Sequence, residues 1–240
     1  MRLQACGYCG NARAQQTPGE NMSNVFIVGG SGKVARHLAR QLSTRGHTAR
    51  SLHRDARQAD ELKALGAVPV SGDLLQLDIA GLAQLMTGSD VVVFSAGAGG
   101  KGGAQMTNAI DGDGLELAVA AARTAGIRRF ILVSAFPEAG RGKVVSDTFE
   151  NYMAVKKRAD VHLAETDLDW VILRPGTLLD TPGTGNVRAG LAIPYGGVPR
   201  EDVAATLLEI IENPEVNRII IELTEGDTPV AQVVQRLAHS

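Results

Sequence analysis

Tyr152 and Lys156 stand four residues apart in a stretch, 148–165, that predicts a helix, so both side chains project from one face. An ammonium beside a phenol favours the phenolate and draws its pKa down from about 10 toward working pH. Tyr152 is thereby suited to hand a proton to a carbonyl oxygen, or to take one from an alcohol. Ser134, which ends a predicted strand at 129–134, supplies a second donor for the same oxygen. Y-x3-K also arises by chance on helices, with tyrosine half-buried and lysine solvated, so the pattern needs a fold that gives it work. Its neighbours read plainly: Lys157 and Arg158 as the solvated side, Phe149 as core. His162 has no cysteine, serine or acid at a telling spacing and reads as a surface residue.

That fold is announced upstream. Gly29-Gly30-Ser31-Gly32-Lys33-Val34-Ala35 follows a β-branched run at 24–28 and opens a helical pattern. In Gly29-x-x-Gly32-x-x-Ala35 the first glycine permits a tight exit from the strand. Gly32 lets the backbone approach a pyrophosphate, and small Ala35 lets helix and strand pack closely. Free N–H groups and the helix dipole then favour an anion. The expected guest is a dinucleotide, held by Gly29, Ser31, Gly32, Lys33 and Val34.

About 20 residues past the turn, where a ribose 2′ group is read, the chain has Leu52-His53-Arg54-Asp55. Guanidinium suits a 2′-phosphate through paired, charge-assisted bonds. Arg54, with Arg50 and Lys33 expected nearby, therefore favours NADP; NAD stays open if Arg54 is solvated and Asp55 bonds the ribose. Gly72-Asp73-Leu74, after the third strand, is placed to pass beside adenine. Ser95-Ala96-Gly97, after the fourth, is placed to flank the ribose and phosphates. Lys156 could also bond the nicotinamide ribose.

The elements that must position these groups alternate. Strands are expected at 24–28, 48–53, 67–71, 91–95, 129–134, 170–174 and 218–223, several of them apolar throughout, as strands buried on both faces of a parallel sheet should be. Helical patterns lie between them. Val34, Leu38 and Leu42 recur at i, i+4, i+8, and Gly46 and Gly66 read as C′ residues. Asp78 is placed to cap 79–86, and further helices are expected at 114–124, 148–165, 202–212 and 230–238. The fold class is α/β: a Rossmann-like, doubly wound, mostly parallel sheet. Glycine-rich loops at 97–103 and 181–186 leave carboxyl ends of strands and are expected to face substrate.

With 44% hydrophobic residues, 21% charged residues and a net charge of −2, the 240-residue chain has no global attraction to nucleic acid or anionic membrane. No apolar run reaches the roughly 18 residues of a bilayer span. Residues 1–21 lack amphipathic period and the apolar core of a secretory signal, and read as a disordered extension; 22–240 read as a single domain. Cys6 and Cys9 form C-x2-C there without two further ligands, so no metal site is expected. A body without cysteine fits a reducing cytoplasm.

Together these stretches resemble the atypical, NAD(P)H-binding, NmrA-like branch of the short-chain dehydrogenase/reductase superfamily, from about residue 24 onward. The carriers are 29–35, Gly72-Asp73-Leu74, Gly114, 152–160, and Leu168-Asp169-Trp170-Val171-Ile172-Leu173-Arg174-Pro175-Gly176. Arg200-Glu201-Asp202-Val203-Ala204 and Glu225-Gly226-Asp227-Thr228-Pro229 look like it too. The resemblance implies a dinucleotide site, adds Pro175 to the residues expected at the cofactor, and implies no substrate. Some members of the branch bind cofactor as sensors; retention of Tyr152 and Lys156 favours activity here. Ala35 in place of a third glycine and the glycine-rich 97–103 loop are departures. The substrate region, about 175–200, is short, which suits a small substrate. The expected function is an NADP-dependent oxidoreductase for a small carbonyl, alcohol or quinone-like compound, monomeric or homodimeric. A cofactor-binding regulator and a nucleotide-sugar-type epimerase are the alternatives.

Overall fold

The structure is a computed structural model and describes residues 22–239. The readings placed on 1–21, Cys6 and Cys9 included, lie outside the described residues.

Five strands, β1 (Asn24–Val28), β2 (Thr48–His53), β3 (Val68–Ser71), β4 (Val91–Phe94) and β5 (Arg129–Val133), pair in parallel in the order 3-2-1-4-5. β6 (Asp169–Pro175) and, later in the chain, β10 (Ile219–Glu225) extend the parallel array beyond β5. The strand order reverses at β1, with β2 parallel on one side and β4 parallel on the other. That crossover is where an open α/β sheet leaves a crevice at its carboxyl edge.

Alternation along β1 builds both layers. Val25 and Ile27 join one buried cluster with Ala35, Leu38 and Leu42 of α1 (Lys33–Thr44). Phe26 and Val28 join the opposite cluster with Leu82 and Met86 of α3 (Ile79–Met86) and Leu115 of α5 (Gly114–Thr124). Successive strand residues point to opposite faces, so one five-residue strand anchors two layers. Expected stops appear as read: Asp78 accepts from Gly81 N–H at 2.7 Å, and Gly46 and Gly66 follow the C-caps Arg45 and Leu65.

The short elements were not expected. β7 (Thr177–Leu179) and β9 (Gly197–Pro199) make a two-stranded sheet, while β8 (Asn186–Gly190) and β11 (Thr228–Pro229) add an antiparallel edge against β10. Two to five residues carry too little periodicity to stand out. Helices α2 (Gln58–Ala64), α6 (Asp147–Ala164), α7 (Arg200–Glu212) and α8 (Val230–Leu237) complete the layers with a short α4 (Gly103–Thr107). α4 runs through a π-helical turn, Asn108–Asp113, into α5. No described helix is long and apolar enough to cross a membrane.

The two glycine-rich loops differ in use. The 97–103 loop lines the crevice. The 181–186 loop does not; the first turn of α7 pins it. Glu201 accepts from Gly183 N–H at 3.0 Å, and Asp202, almost wholly buried, accepts from Thr184 and Gly185 N–H, both at 2.9 Å. Carboxylates aimed at consecutive amides turned an expected substrate loop into a helix-capped anchor.

Candidate active site

A cleft of about 350 Å³ opens at the crossover between β1 and β4. Gly29, Ser31 and Gly32 form one wall, Arg54 another, Asp73 and Leu74 a third, and Ser95, Ala96 and Gly97 the fourth. Gly29 has φ +80, and a Cβ there would lie 2.5 Å from Ala96 Cα, so the β1 exit and the β4 exit touch only because one is glycine. Gly30, given no separate role by the motif, is as constrained: its Cβ would meet Ser51 Cβ at 2.5 Å.

Helix α1 starts at this cleft with no side-chain cap and no acid in its first turn. Its leading N–H groups lack intrahelical partners, and the dipole adds to their pull on an anion. Arg54, exposed on the cleft wall, makes no hydrogen bond or ion pair among the described residues. An uncapped helix start, a glycine cradle and a free guanidinium suit a phosphorylated dinucleotide.

Other expected contacts lie elsewhere. Arg50 is not at the cleft. It donates to Leu85 O, Thr87 O and Ser89 Oγ at 2.7–3.0 Å and covers the Phe26 ring, closing the carboxyl end of α3. Asp55 does not line the cleft either: Arg57 takes its carboxylate and holds it down at about 2. Lys33 reaches away to Asp180 at 2.7 Å, which also pairs with Arg200. Val34 turns into the core, and Pro175 ends β6 paired with Leu223, so neither lines the cleft. Asp73 serves both readings, lining the cleft and capping its own turn through Leu75 N–H at 3.0 Å.

Ser134, Tyr152 and Lys156 do not line the cleft. Lys156 is buried; its Nζ donates to Val133 O at 2.9 Å and stands 3.7 Å from Asp111 Oδ1. Asp111, equally buried in the π-helical turn, accepts from Ala98 N–H at 2.9 Å through Oδ2. One carboxylate thus joins the cleft wall to the lysine. Asp160 follows Lys156 by one helical turn and pairs with Arg174 at 2.8 Å. Ser134 Oγ faces Asp160, yet Ser134 Oγ and Asp160 Oδ1, both buried, complete no hydrogen bond.

The electrostatics reverse one expectation. Tyr152 is pushed up to about 12, by burial first and then by the charges of Asp111 and Asp160. Burial lowers Lys156 while both carboxylates hold it up, so its charge is answered locally instead of drawing out the phenol proton. The sequence reading missed Asp111, Asp160 and Lys101, the last on the cleft wall. Asp160 had a signal, since Tyr152, Lys156 and Asp160 recur at i, i+4, i+8; Asp111 had none until the π-turn rotated it inward.

Residues 29–214 match a protein family described as NAD(P)H-binding. The chain belongs to the NAD(P)H-binding family. The match spans the cleft residues together with Ser134, Tyr152 and Lys156. A Bacillus subtilis relative described as an uncharacterized sugar epimerase is 34% identical over 89% of this chain and 99% of its own length. A solved structure described as a putative NAD-dependent epimerase/dehydratase from Bacillus halodurans superposes with a TM-score of 0.82. It is 32% identical and covers 89% of this chain and 99% of that one. A Lactococcus lactis structure described as an oxidoreductase gives a TM-score of 0.80 at 25% identity, covering 90% and 97%. This NAD(P)H-binding protein therefore shares its whole described fold with relatives of both epimerase and oxidoreductase description.

Proposed function

We propose that the protein is an NADP(H)-dependent oxidoreductase acting on a small carbonyl, alcohol or quinone-like substrate. The carrying observation is the Asp111 carboxylate, shared between Ala98 N–H on the cleft wall and Lys156 beside Tyr152. That link between Lys156 and the cleft wall supports a Tyr152–Lys156 pair working beside the cofactor. In this reading Gly29, Ser31 and Gly32 hold the pyrophosphate, Arg54 holds the 2′-phosphate, and Asp73 and Leu74 border the adenine. Ser95, Ala96 and Gly97 lie along the dinucleotide. The bound dinucleotide supplies or accepts a hydride. Tyr152 exchanges a proton with the substrate oxygen, Lys156 sets the charge beside it, and the unpaired Ser134 hydroxyl orients that oxygen.

One observation favours a second reading, a cofactor-binding regulator. Ser134 Oγ is closed off from solvent while Tyr152 is half-buried, so the substrate orienter expected beside the phenol is not open to solvent. The epimerase reading, suggested by the description of the relatives, is less favoured by the short β7–β9 region. NADPH consumption across a panel of carbonyls and quinones, repeated with Tyr152→Phe, separates them. Turnover that collapses in the variant supports the oxidoreductase. Tight NADPH binding with no turnover supports the regulator, and turnover indifferent to Tyr152→Phe removes the proton-transfer role.

A further inference from the structure

We propose that Lys101, carried on the glycine-rich 97–103 loop, is the side-chain cation that the protein brings to the pyrophosphate of a bound dinucleotide. The inference rests on the cofactor placement above and adds to it a residue that the glycine motif does not supply.

Lys101 is exposed, lines the cleft, and makes no side-chain hydrogen bond or ion pair among the described residues. The described lining holds two basic side chains, Arg54 and Lys101, against one acid, Asp73. The Asp73 carboxylate already accepts from Leu75 N–H at 3.0 Å. An anion is the complement of such a cleft.

The glycine turn by itself leaves that anion short of charge. A pyrophosphate carries two negative charges, whereas the N–H groups at the start of α1 offer about half of one positive charge. Lys33, the basic residue of the turn, is bound to Asp180 at 2.7 Å, and Asp180 also holds Arg200. Arg36, in the first turn of α1, is taken by Ser31 O and Glu61. None of these three cations lines the cleft. With Arg54 placed on the 2′-phosphate, Lys101 is the basic side chain left for the pyrophosphate among the described lining.

The loop is built to deliver it. Both ends are anchored: Asp111 accepts from Ala98 N–H at 2.9 Å, and Thr107 Oγ1 donates to Gly103 O at 3.2 Å. Between the anchors, Gly99, Gly100, Gly102 and Gly103 all have positive φ, from +60 to +75. A Cβ on Gly99, Gly100 or Gly103 would meet nothing within 4 Å. A span of glycines in open space can pivot between fixed ends, and the flexible lysine stem adds reach. Lys101 thus closes over the dinucleotide from a loop that stands clear of the fold without it.

The test reads binding and needs no turnover. NADPH and NADH are titrated by fluorescence into the full chain, into Lys101→Ala and into Lys101→Arg. The pyrophosphate is common to both nucleotides, so Lys101→Ala is expected to weaken both alike, by about 3- to 5-fold. Lys101→Arg, which keeps the charge, is expected to bind both nearly as wild type does. Trypsin cuts after lysine, and NADPH or NADH at saturation is expected to slow cleavage at Lys101, while 2′-AMP, which has no pyrophosphate, does not. Affinities unchanged in Lys101→Ala overturn the proposal. A loss confined to NADPH overturns it too, since it would move Lys101 to the 2′-phosphate, as does cleavage at Lys101 that NADPH leaves unslowed. A wild-type chain that binds neither nucleotide would instead remove the underlying cofactor placement, so the two failures are distinct.

Discussion

Gly30 packs so closely on Ser51 that a Cβ added to it would lie 2.5 Å from the Ser51 Cβ and 2.8 Å from its Cα. The glycine turn after β1 is therefore seated on β2 as well as against the exit of β4, where Gly29 meets Ala96. Because the obstacle at Gly30 includes backbone, it cannot swing aside as a side-chain tip would. Gly30→Ala is expected to cost about 1–3 kcal/mol by overpacking and to weaken NADPH binding with it. Urea denaturation and fluorescence titration measure the two losses; a variant as stable and as tight as wild type would contradict the packing.

Arg54 should separate the two cofactors. A charge-assisted bond contributes about 1.5–3 kcal/mol, which at 1.4 kcal/mol per decade is about 10- to 100-fold in affinity. Arg54→Ala is expected to raise the NADPH Kd by that factor and leave the NADH Kd nearly unchanged. Equal losses for both would end the 2′-phosphate assignment.

Arg50 should not. Its bonds to Leu85 O, Thr87 O and Ser89 Oγ tie β2 to the end of α3. Arg50→Ala is expected to lower stability by about 1–3 kcal/mol while the ratio of NADPH to NADH affinity stays at the wild-type value. A changed ratio would return Arg50 to the cofactor.

Asp202 holds the 181–186 loop through Thr184 and Gly185 N–H. Asp202→Ala removes both bonds, at about 0.5–1.5 kcal/mol each because Thr184 and Gly185 are exposed and water can take up their N–H groups, and should speed proteolysis between 181 and 186. NADPH affinity is expected to hold, because the loop does not line the cleft.

Tyr152 gives the protein an alkaline signature. Its folded value of about 12 lies above the ordinary value of 10.0. The folded state thus keeps a proton that the unfolded chain releases first. The contribution is whole below about pH 10 and is lost as pH rises toward about 12, up to roughly 2.7 kcal/mol at 1.36 kcal/mol per unit. Tyr152→Phe should flatten this part of the stability curve, measured by denaturation at stepped alkaline pH. An unchanged slope would mean that the phenol is not held in its protonated form.

Much of this molecule was written in local sequence. Apolar runs and glycine stops determined the seven long strands and the helices between them, because burial on both sheet faces demands continuous apolar strands. Gly29, Ser31, Gly32, Arg54, Asp73 and Ser95 were legible because each follows a strand, and strands in this order bring their carboxyl ends to one crevice. Tyr152 and Lys156 were legible as one helical face, which Asp160, missed in the sequence, continues. Tertiary structure alone decided what surrounds them. Arg50 went to the end of α3 and Asp55 to Arg57, since a side chain takes the partner that packing presents. Asp111 reached Lys156 only through a π-turn, which leaves no periodic mark in so short a stretch. The sequence by itself placed a lysine beside a tyrosine; which charges face the pair, and so which way its proton is held, depended on carboxylates that only the folded chain brings together.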